Sequence, residues 1–311
     1  MPQHLVADIG GTHARFALSD DGRALRAVTV LHCNAFATPL EALQTYLQNQ
    51  GNPHIDGICL AVAAAVDAPT ITLLNNHWSL RTEALASALN TPVTVINDFT
   101  AQALSLDFLA PADLHWLSDA RPRGDRIRCI LGPGTGFGLA VRLADGRVLP
   151  SEGGHISFAP GNEHEIALLR QLWRTYPRVS VERVLSGAGL SHLYTLNADD
   201  GAEPREAAAI HAGAAAGEAA CLAAIKDFAA ILGSVAGDAA IAHWARDGIY
   251  IAGGMVPRLW GLFDPTVLWQ RFTDKGRLSA YCAEVPLAVI RAEQPGLLGA
   301  LAALQTDGTS P

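Results

Sequence analysis

A chain of 311 residues, half of them apolar and 17% charged, exceeds what one hydrophobic core usually supports, so two domains or one lobed α/β unit is expected. Its formal charge of -8 argues against nucleic acid or an anionic membrane surface as the main partner, since both attract clustered Lys and Arg. Five cysteines, Cys33, Cys59, Cys129, Cys221 and Cys282, are odd in number and never spaced as CxxC, which points away from a disulfide framework or a cysteine zinc site and toward a reduced cytosol. The N-terminal segment has no basic run before Asp8, so a signal peptide is not expected. No stretch reads as a membrane span, because the alanine-rich segment from Ala207 is interrupted by Glu218, Lys226, Asp227 and Asp238.

Leu5 to Ile9 reads as a buried strand, Gly10-Gly11 as a turn, and Ala14 to Leu18 as a second strand. Asp21-Gly22 signals another hairpin turn before the β-rich Ala27 to Leu31, completing a three-strand meander. Leu40, Leu43 and Leu47 put one apolar face on a short helix over Pro39–Gln50. Ile58–Val66 and Val93–Ile96 are expected as buried strands, and Arg81–Leu89 and Thr100–Leu109 as helices. Strands alternating with helices give a mixed, largely buried α/β sheet.

The second half restarts the same grammar. Ile127–Leu131 is a strand, Gly132–Gly136 a turn and Phe137–Leu143 a strand, and Asp145-Gly146-Arg147 repeats Asp21-Gly22-Arg23. Two such units suggest one ancestral element used twice, the alternative being chance recurrence of common Asp-Gly turns. Glu163–Tyr176 and Arg205–Ala245 are expected to be helical, the latter as two or more helices with Gly213 and Gly217 allowing close packing. Ile249–Ala252 is a buried strand ending in Gly253-Gly254, Pro295 opens a last helix, and the polar tail from Thr306 is expected to be loose.

Ala7-Asp8-Ile9-Gly10-Gly11-Thr12 places an acid at a strand end and two glycines after it, so consecutive N–H groups can cradle an anion while Asp8 orients a hydrated Mg²⁺. An ordinary tight hairpin would look the same. A dinucleotide fingerprint fits worse, because a strand rather than a helix follows Gly11. Gly132, Gly134, Thr135 and Gly136 repeat the logic, and two such turns suggest a polyphosphate ligand. Asn97-Asp98 ends a buried strand, where α/β sheets bind ligands, though both residue types also cap helices. Glu152 and His155 flank two glycines and together supply the acceptors and donors that vicinal hydroxyls require. Glu182, at the start of an apolar-periodic stretch, has on spacing alone only the role of a first-turn dipole charge. Gly253-Gly254 at a strand end would let a flat base pack on the backbone, or serve helix–strand packing.

Taken in order, these segments resemble the bacterial ATP-dependent glucokinases of the sugar kinase, Hsp70 and actin superfamily. The resemblance rests on Ala7-Asp-Ile-Gly-Gly-Thr12, Asn76-His-Trp78, Ile96-Asn-Asp-Phe-Thr100, Gly132-Pro-Gly-Thr-Gly136, Glu152-Gly-Gly-His155, Glu182-Arg-Val-Leu-Ser-Gly187, Ile251-Ala-Gly-Gly254, Asp274-Lys-Gly-Arg277 and Pro295-Gly-Leu-Leu-Gly299. It implies a two-domain actin-like ATPase (ribonuclease H-like) α/β fold with the active site in an interdomain cleft. The small domain would comprise residues 1–106 and 296–311, the large one 107–295. It further implies Asp98 as catalytic base, and Asn97, Asp98, Glu152, His155 and Glu182 as sugar ligands. The turns at Ala7–Thr12 and Gly132–Gly136 would hold the nucleotide phosphates, Gly253 and Gly254 would face the adenosine, and Asp8 would meet Mg²⁺ through water.

ATP and Mg²⁺ are thus the expected cofactors, and D-glucose the substrate in the first step of glycolysis. Partners beyond these are a second copy in a cytoplasmic homodimer, with no nucleic acid and no membrane. Alternatives are a kinase for another hexose or N-acyl amino sugar, or a sugar-sensing regulator that has lost catalysis. The chain departs from the family in three places. His13 stands where asparagine is usual, Ala63-Ala-Ala-Val66 replaces a proline-containing segment, and the cysteine-rich zinc motif of the related repressor-type kinases is missing.

Overall fold

A computed structural model describes residues 2–73, 75–199 and 201–306. The chain divides into two compact units, one running to Pro111 and resuming at Ala292, the other Ala112–Arg291. The sequence-based limits lie a few residues away, after 106 and before 296.

The first unit contains strands β1 (His4–Ile9), β2 (His13–Ser19), β3 (Arg26–His32), β4 (Gly57–Val62), β5 (Ile71–Thr72), β6 (Ser79–Leu80) and β7 (Val93–Asn97). Five of them form one sheet in the order β3-β2-β1-β4-β7, and β5 pairs with β6 alone. β2 runs antiparallel to both β1 and β3, whereas β4 runs parallel to both β1 and β7. Alternation along β1 sends Leu5, Ala7 and Ile9 into a core with Phe16, Leu43, Tyr46 and Trp78. Val6 goes the other way, to Ala17, Cys59, Ala101 and Leu297, Ala300 and Leu301 of the helix Pro295–Thr306. β4 is buried at every position, as a strand covered on both faces must be. It stops at Val62 rather than continuing to Val66, because its partner β7 ends opposite, with Val62 beside Asn97. The helix Pro39–Asn49 has Pro39 at its first position and Thr38 accepting from the Glu41 N–H, so three residues fix where it starts.

The second unit contains β8 (Leu114–Trp116), β9 (Arg128–Pro133), β10 (Phe137–Arg142), β11 (Val148–Ser151), β12 (Ile249–Ile251) and β13 (Leu287–Ile290), in the sheet order β11-β10-β9-β12-β13-β8. Its first five strands repeat the first unit's order and polarity, antiparallel for β11, β10 and β9 and parallel for β9, β12 and β13. The repeated Asp-Gly-Arg turns match as well. Asp21 Oδ1 accepts from the Arg23 N–H at 2.8 Å and Asp145 Oδ1 from the Arg147 N–H at 3.0 Å, with Gly22 and Gly146 both left-handed (φ 73° and 89°). The short edge strands β8 and β11 carry too little periodicity to be legible beforehand, and Pro150 in β11 masks it further.

The alanine-rich run forms two helices, Ala207–Ala215 and Ala219–Ala242, in keeping with the expectation of more than one. Gly217 is left-handed (φ 86°) with open space around it, so it breaks the helix instead of packing closely as expected. The close approaches belong to Gly213, against Cys221 Sγ, and to Gly233 and Gly237, against the carbonyls of Leu268 and Phe272 in the helix Pro265–Thr273. The expectation about membrane spans also needs correction. Ala219–Ala242 is 24 residues long with a mean hydropathy of 1.7 in its most apolar window, enough to cross a membrane by length and composition, because alanine, isoleucine and leucine outweigh its few charges. Half of that window is buried, with Phe228, Ile231, Leu232 and Ala236 in the core of the unit.

Elsewhere the helix expected at Thr100–Leu109 spans Asp98–Ser105, and the one expected to reach Tyr176 ends at Leu172. The last helix reaches Thr306, and positions 307–311 of the polar tail lie outside the described residues.

One buried ion pair ties the helix Glu163–Leu172 to the helix Pro265–Thr273. Arg271 Nη2 lies 2.8 Å from Glu165 Oε1, with side chains only 17% and 4% exposed. Glu165 also accepts from the Gly161 N–H and from Asn162 Nδ2. Arg271→Ala strands that carboxylate and is expected to cost about 3 kcal/mol or more of stability. Urea unfolding of Arg271→Ala beside Glu165→Gln/Arg271→Ala checks this, the double variant recovering part of the loss.

Candidate active site

In the first unit, β1 and β2 are joined by Gly10-Gly11-Thr12, a turn held from three directions. The Gly10 N–H donates to the His13 carbonyl at 3.0 Å, the Cys33 N–H to the Thr12 carbonyl at 2.9 Å, and Asn76 Nδ2 to the Gly10 carbonyl at 3.0 Å. A Cβ on Gly11 would sit 3.0 Å from the Asn75 carbonyl oxygen, so the two backbones pass too close for a side chain to enter freely. Nothing in the spacing of the sequence gives Asn76 a role. Its amide crosses from another segment to brace the turn, while its Oδ1 accepts from the N–H of the buried Trp78.

Register places Ile9 beside Val62 and Val62 beside Asn97, so the glycine turn and Asn97-Asp98 leave the sheet at the same edge. Asn97 caps the helix Asp98–Ser105, its Oδ1 accepting from the Phe99 and Thr100 N–H groups, and its Nδ2 donates to the Ala64 carbonyl at 3.3 Å. The second amide hydrogen is what Asn97 can offer a ligand. The Asp98 carboxylate accepts from the Phe99 N–H at 2.9 Å. Burial, with the Asp8 charge added, pushes its pKa up to about 7.

Asp8 lies with one carboxylate oxygen 3.6 Å from Arg15 Nη1. Burial raises its pKa and Arg15 opposes the rise. Among the described residues no three His, Cys, Asp or Glu side chains gather as metal ligands. One carboxylate beside a phosphate-type turn nonetheless suits Mg²⁺, which keeps most of its shell as water and phosphate oxygens. The His13 ring lies 4.4 Å from that of His32 across β2 and β3. Burial, His32 and Arg15 together hold its pKa below the usual histidine range.

In the second unit the equivalent turn, Gly134-Thr135-Gly136, joins β9 to β10, with the Gly134 N–H donating to the Gly136 carbonyl at 2.7 Å and Thr135 exposed at its tip. A Cβ at Gly132 would run into the Ala252 carbonyl, and one at Gly253 (φ 87°) into the Pro133 carbonyl, so two backbone segments meet here with no room for side chains. That contact sets Gly253-Gly254 beside the turn. A Cβ added at Gly254 or Gly134 would meet nothing within 4 Å, so both residues border open space.

Glu152 precedes and His155 ends a 3₁₀ turn, Gly153–His155, packed onto β10 with Gly154 against the Phe137 carbonyl. Both side chains are exposed, with His155 Nε2 3.7 Å from Glu152 Oε2. The Val181 N–H donates to the Ile156 carbonyl at 2.9 Å and the Phe158 N–H to the Val179 carbonyl at 3.0 Å, which ties this turn to the segment carrying Glu182. Glu182 sits on a 3₁₀ turn, Val181–Arg183, not at the start of the helix, which begins at Gly187. Its Oε2 accepts from the Phe137 N–H at 3.0 Å, and Gly187 N–H donates to the Gly134 carbonyl at 3.2 Å. The turn at 134–136, the turn at 153–155 and Glu182 therefore form one connected patch of the second unit.

Two sheets that share a five-strand order and polarity, each with a glycine turn in its central hairpin, β1-β2 in one and β9-β10 in the other, define the actin-like ATPase class. The family model for glucokinase matches residues 5–307, and the chain belongs to the glucokinase family. It is 40% identical over 310 residues to the glucokinase of Chromobacterium violaceum, covering 96% of this chain and 88% of that protein. A crystal structure of glucokinase from an Antarctic psychrotroph superposes with a TM-score of 0.87 at 34% identity, covering 98% of this chain and 99% of the other. A ROK-family glucokinase from Streptomyces griseus, in complex with glucose and AMPPNP, shares the fold at a TM-score of 0.67 and 18% identity, over 97% and 98% of the two chains.

Proposed function

We propose that the protein transfers the γ-phosphoryl group of ATP to O6 of D-glucose, the first step of glycolysis. The observation that carries this reading is Asp98, a carboxylate with its pKa pushed up to about 7 at the sheet edge from which the first glycine turn also leaves. A base poised near neutrality can take a hydroxyl proton and later return it.

In the proposed reaction O6 forms a bond to the γ-phosphorus, the bond from that phosphorus to the bridging oxygen breaks to release ADP, and the O6 proton passes to Asp98. Asn97, Glu152, His155 and Glu182 hold the sugar hydroxyls. Backbone N–H groups at Gly10–Thr12 and Gly134–Gly136 hold the phosphates, and Gly253 and Gly254 face the adenosine. Phosphoryl transfer depends chiefly on positioning and charge neutralisation, which rigid turns supply. Mg²⁺, oriented through water by Asp8, would neutralise phosphate charge when bound. A cytoplasmic homodimer and the domain limits given above belong to the same proposal, supported by family membership.

The test is ADP release measured with glucose, mannose, fructose and N-acetylglucosamine, with and without Mg²⁺. Turnover with glucose that vanishes in EDTA is the expected result. Preference for N-acetylglucosamine would move the substrate assignment, and no turnover with any sugar would leave the sugar-sensing regulator.

A further inference from the structure

Glu182 touches the second glycine turn directly. Its Oε2 accepts from the N–H of Phe137, the first residue of β10 after the turn. A Cβ on Gly136 would collide with the same oxygen. The segment bearing Glu182 makes a second tie, from the Gly187 N–H to the Gly134 carbonyl. A carboxylate has lone pairs enough on two oxygens to hold this N–H and a ligand hydroxyl at once.

We propose that Glu182 is a positioning residue that couples sugar binding to nucleotide binding by fixing the turn at Gly134–Gly136 through the Phe137 N–H. This rests on the glucokinase reading, in which Glu182 meets the sugar and the turn meets phosphate. A sugar hydroxyl donating to Glu182 restricts the carboxylate, which in turn restricts the Phe137 amide and the backbone donors just before it. The nucleotide then finds a turn already ordered, and loses less conformational freedom on binding. By linkage, nucleotide bound at the turn must tighten sugar binding by the same factor.

Calorimetry with AMPPNP and Mg²⁺, titrated with and without saturating glucose, measures that factor. Wild type is expected to show a gain of about tenfold, within the ordinary range of coupling between sites. Glu182→Gln keeps the shape but has one oxygen where two are required, and its factor should fall to about twofold or less. Gly136→Ala puts a methyl against the same Glu182 oxygen and displaces the carboxylate, so it should weaken glucose binding as well as reduce the coupling, although its position is in the phosphate turn. Glu152→Gln is the control: glucose binds more weakly while the coupling factor stays near the wild-type value. Persistence of the full factor in Glu182→Gln, or its loss in Glu152→Gln to the same extent, would overturn the proposal. Wild type that phosphorylates glucose without any coupling would sink this inference alone. Wild type that neither binds nor phosphorylates glucose would remove the glucokinase reading together with it.

Discussion

Asp98→Asn is expected to lower kcat by about 10²-fold or more while glucose still binds, the scale of a lost general base. The carboxylate also predicts two pH effects. Its pKa in the folded protein stands at about 7, against 3.8 for an ordinary aspartate, so kcat/KM of wild type should climb as pH rises through 7 and the base ionises. Stability should run the opposite way. Below the unfolded value both states are protonated, whereas between about 4 and 7 the folded state keeps a proton that the unfolded chain has lost. Stability therefore declines as pH rises across that window and levels off above it, by up to about 4 kcal/mol in total. Asp98→Asn should flatten this slope, so denaturant titrations of both proteins from about pH 4 to 8 check it alongside the rate profile. A kcat near wild type would remove Asp98 from the chemistry, and parallel stability profiles would show that it does not carry the shifted proton.

Gly299→Ala should be the most disruptive single methyl in the first unit. The helix Pro295–Thr306 crosses the helix Asp98–Ser105 at Gly299, where an added Cβ would overlap the Ala101 carbonyl oxygen. Backbone cannot rotate away as a side-chain end can, so the helices must separate. The expected cost is about 3 kcal/mol, at the upper end of overpacking. Ala101 lies one turn beyond Asp98, so the same displacement should move the base and reduce kcat in the fraction that folds. Thermal unfolding and turnover on one preparation separate the two effects. An unchanged melting temperature would mean that the helices can part at little cost.

The motifs were legible because each is local. Asp8 through Thr12, Gly132 through Gly136 and Asn97-Asp98 sit at strand ends, where alternation in the preceding residues, the glycines and the next periodic run all agree. The repeat was legible for the same reason, since Asp21-Gly22-Arg23 and Asp145-Gly146-Arg147 are complete within three residues and need nothing distant to form. Family resemblance then supplied roles that spacing could not. Glu182 shows the difference, because its local pattern suggested a helix start while its segment is a single 3₁₀ turn.

What the sequence determined by itself, therefore, was the alternation of strands and helices, the doubled plan and the residue types at each turn, since those follow from periodicity and backbone preference over a few residues. Tertiary structure alone decided which glycines were needed for contact and which for conformation. Gly132 and Gly299 face distant carbonyls, whereas Gly217 faces open space and breaks a helix. It also decided the proton affinity of Asp98, which depends on burial and on the Asp8 charge two strands away, and the bonds from Asn76 to Gly10 and from Glu182 to Phe137. The physical reason is the same in each case: desolvation and hydrogen bonding between residues far apart in the chain exist only once the sheet has set their register and distance.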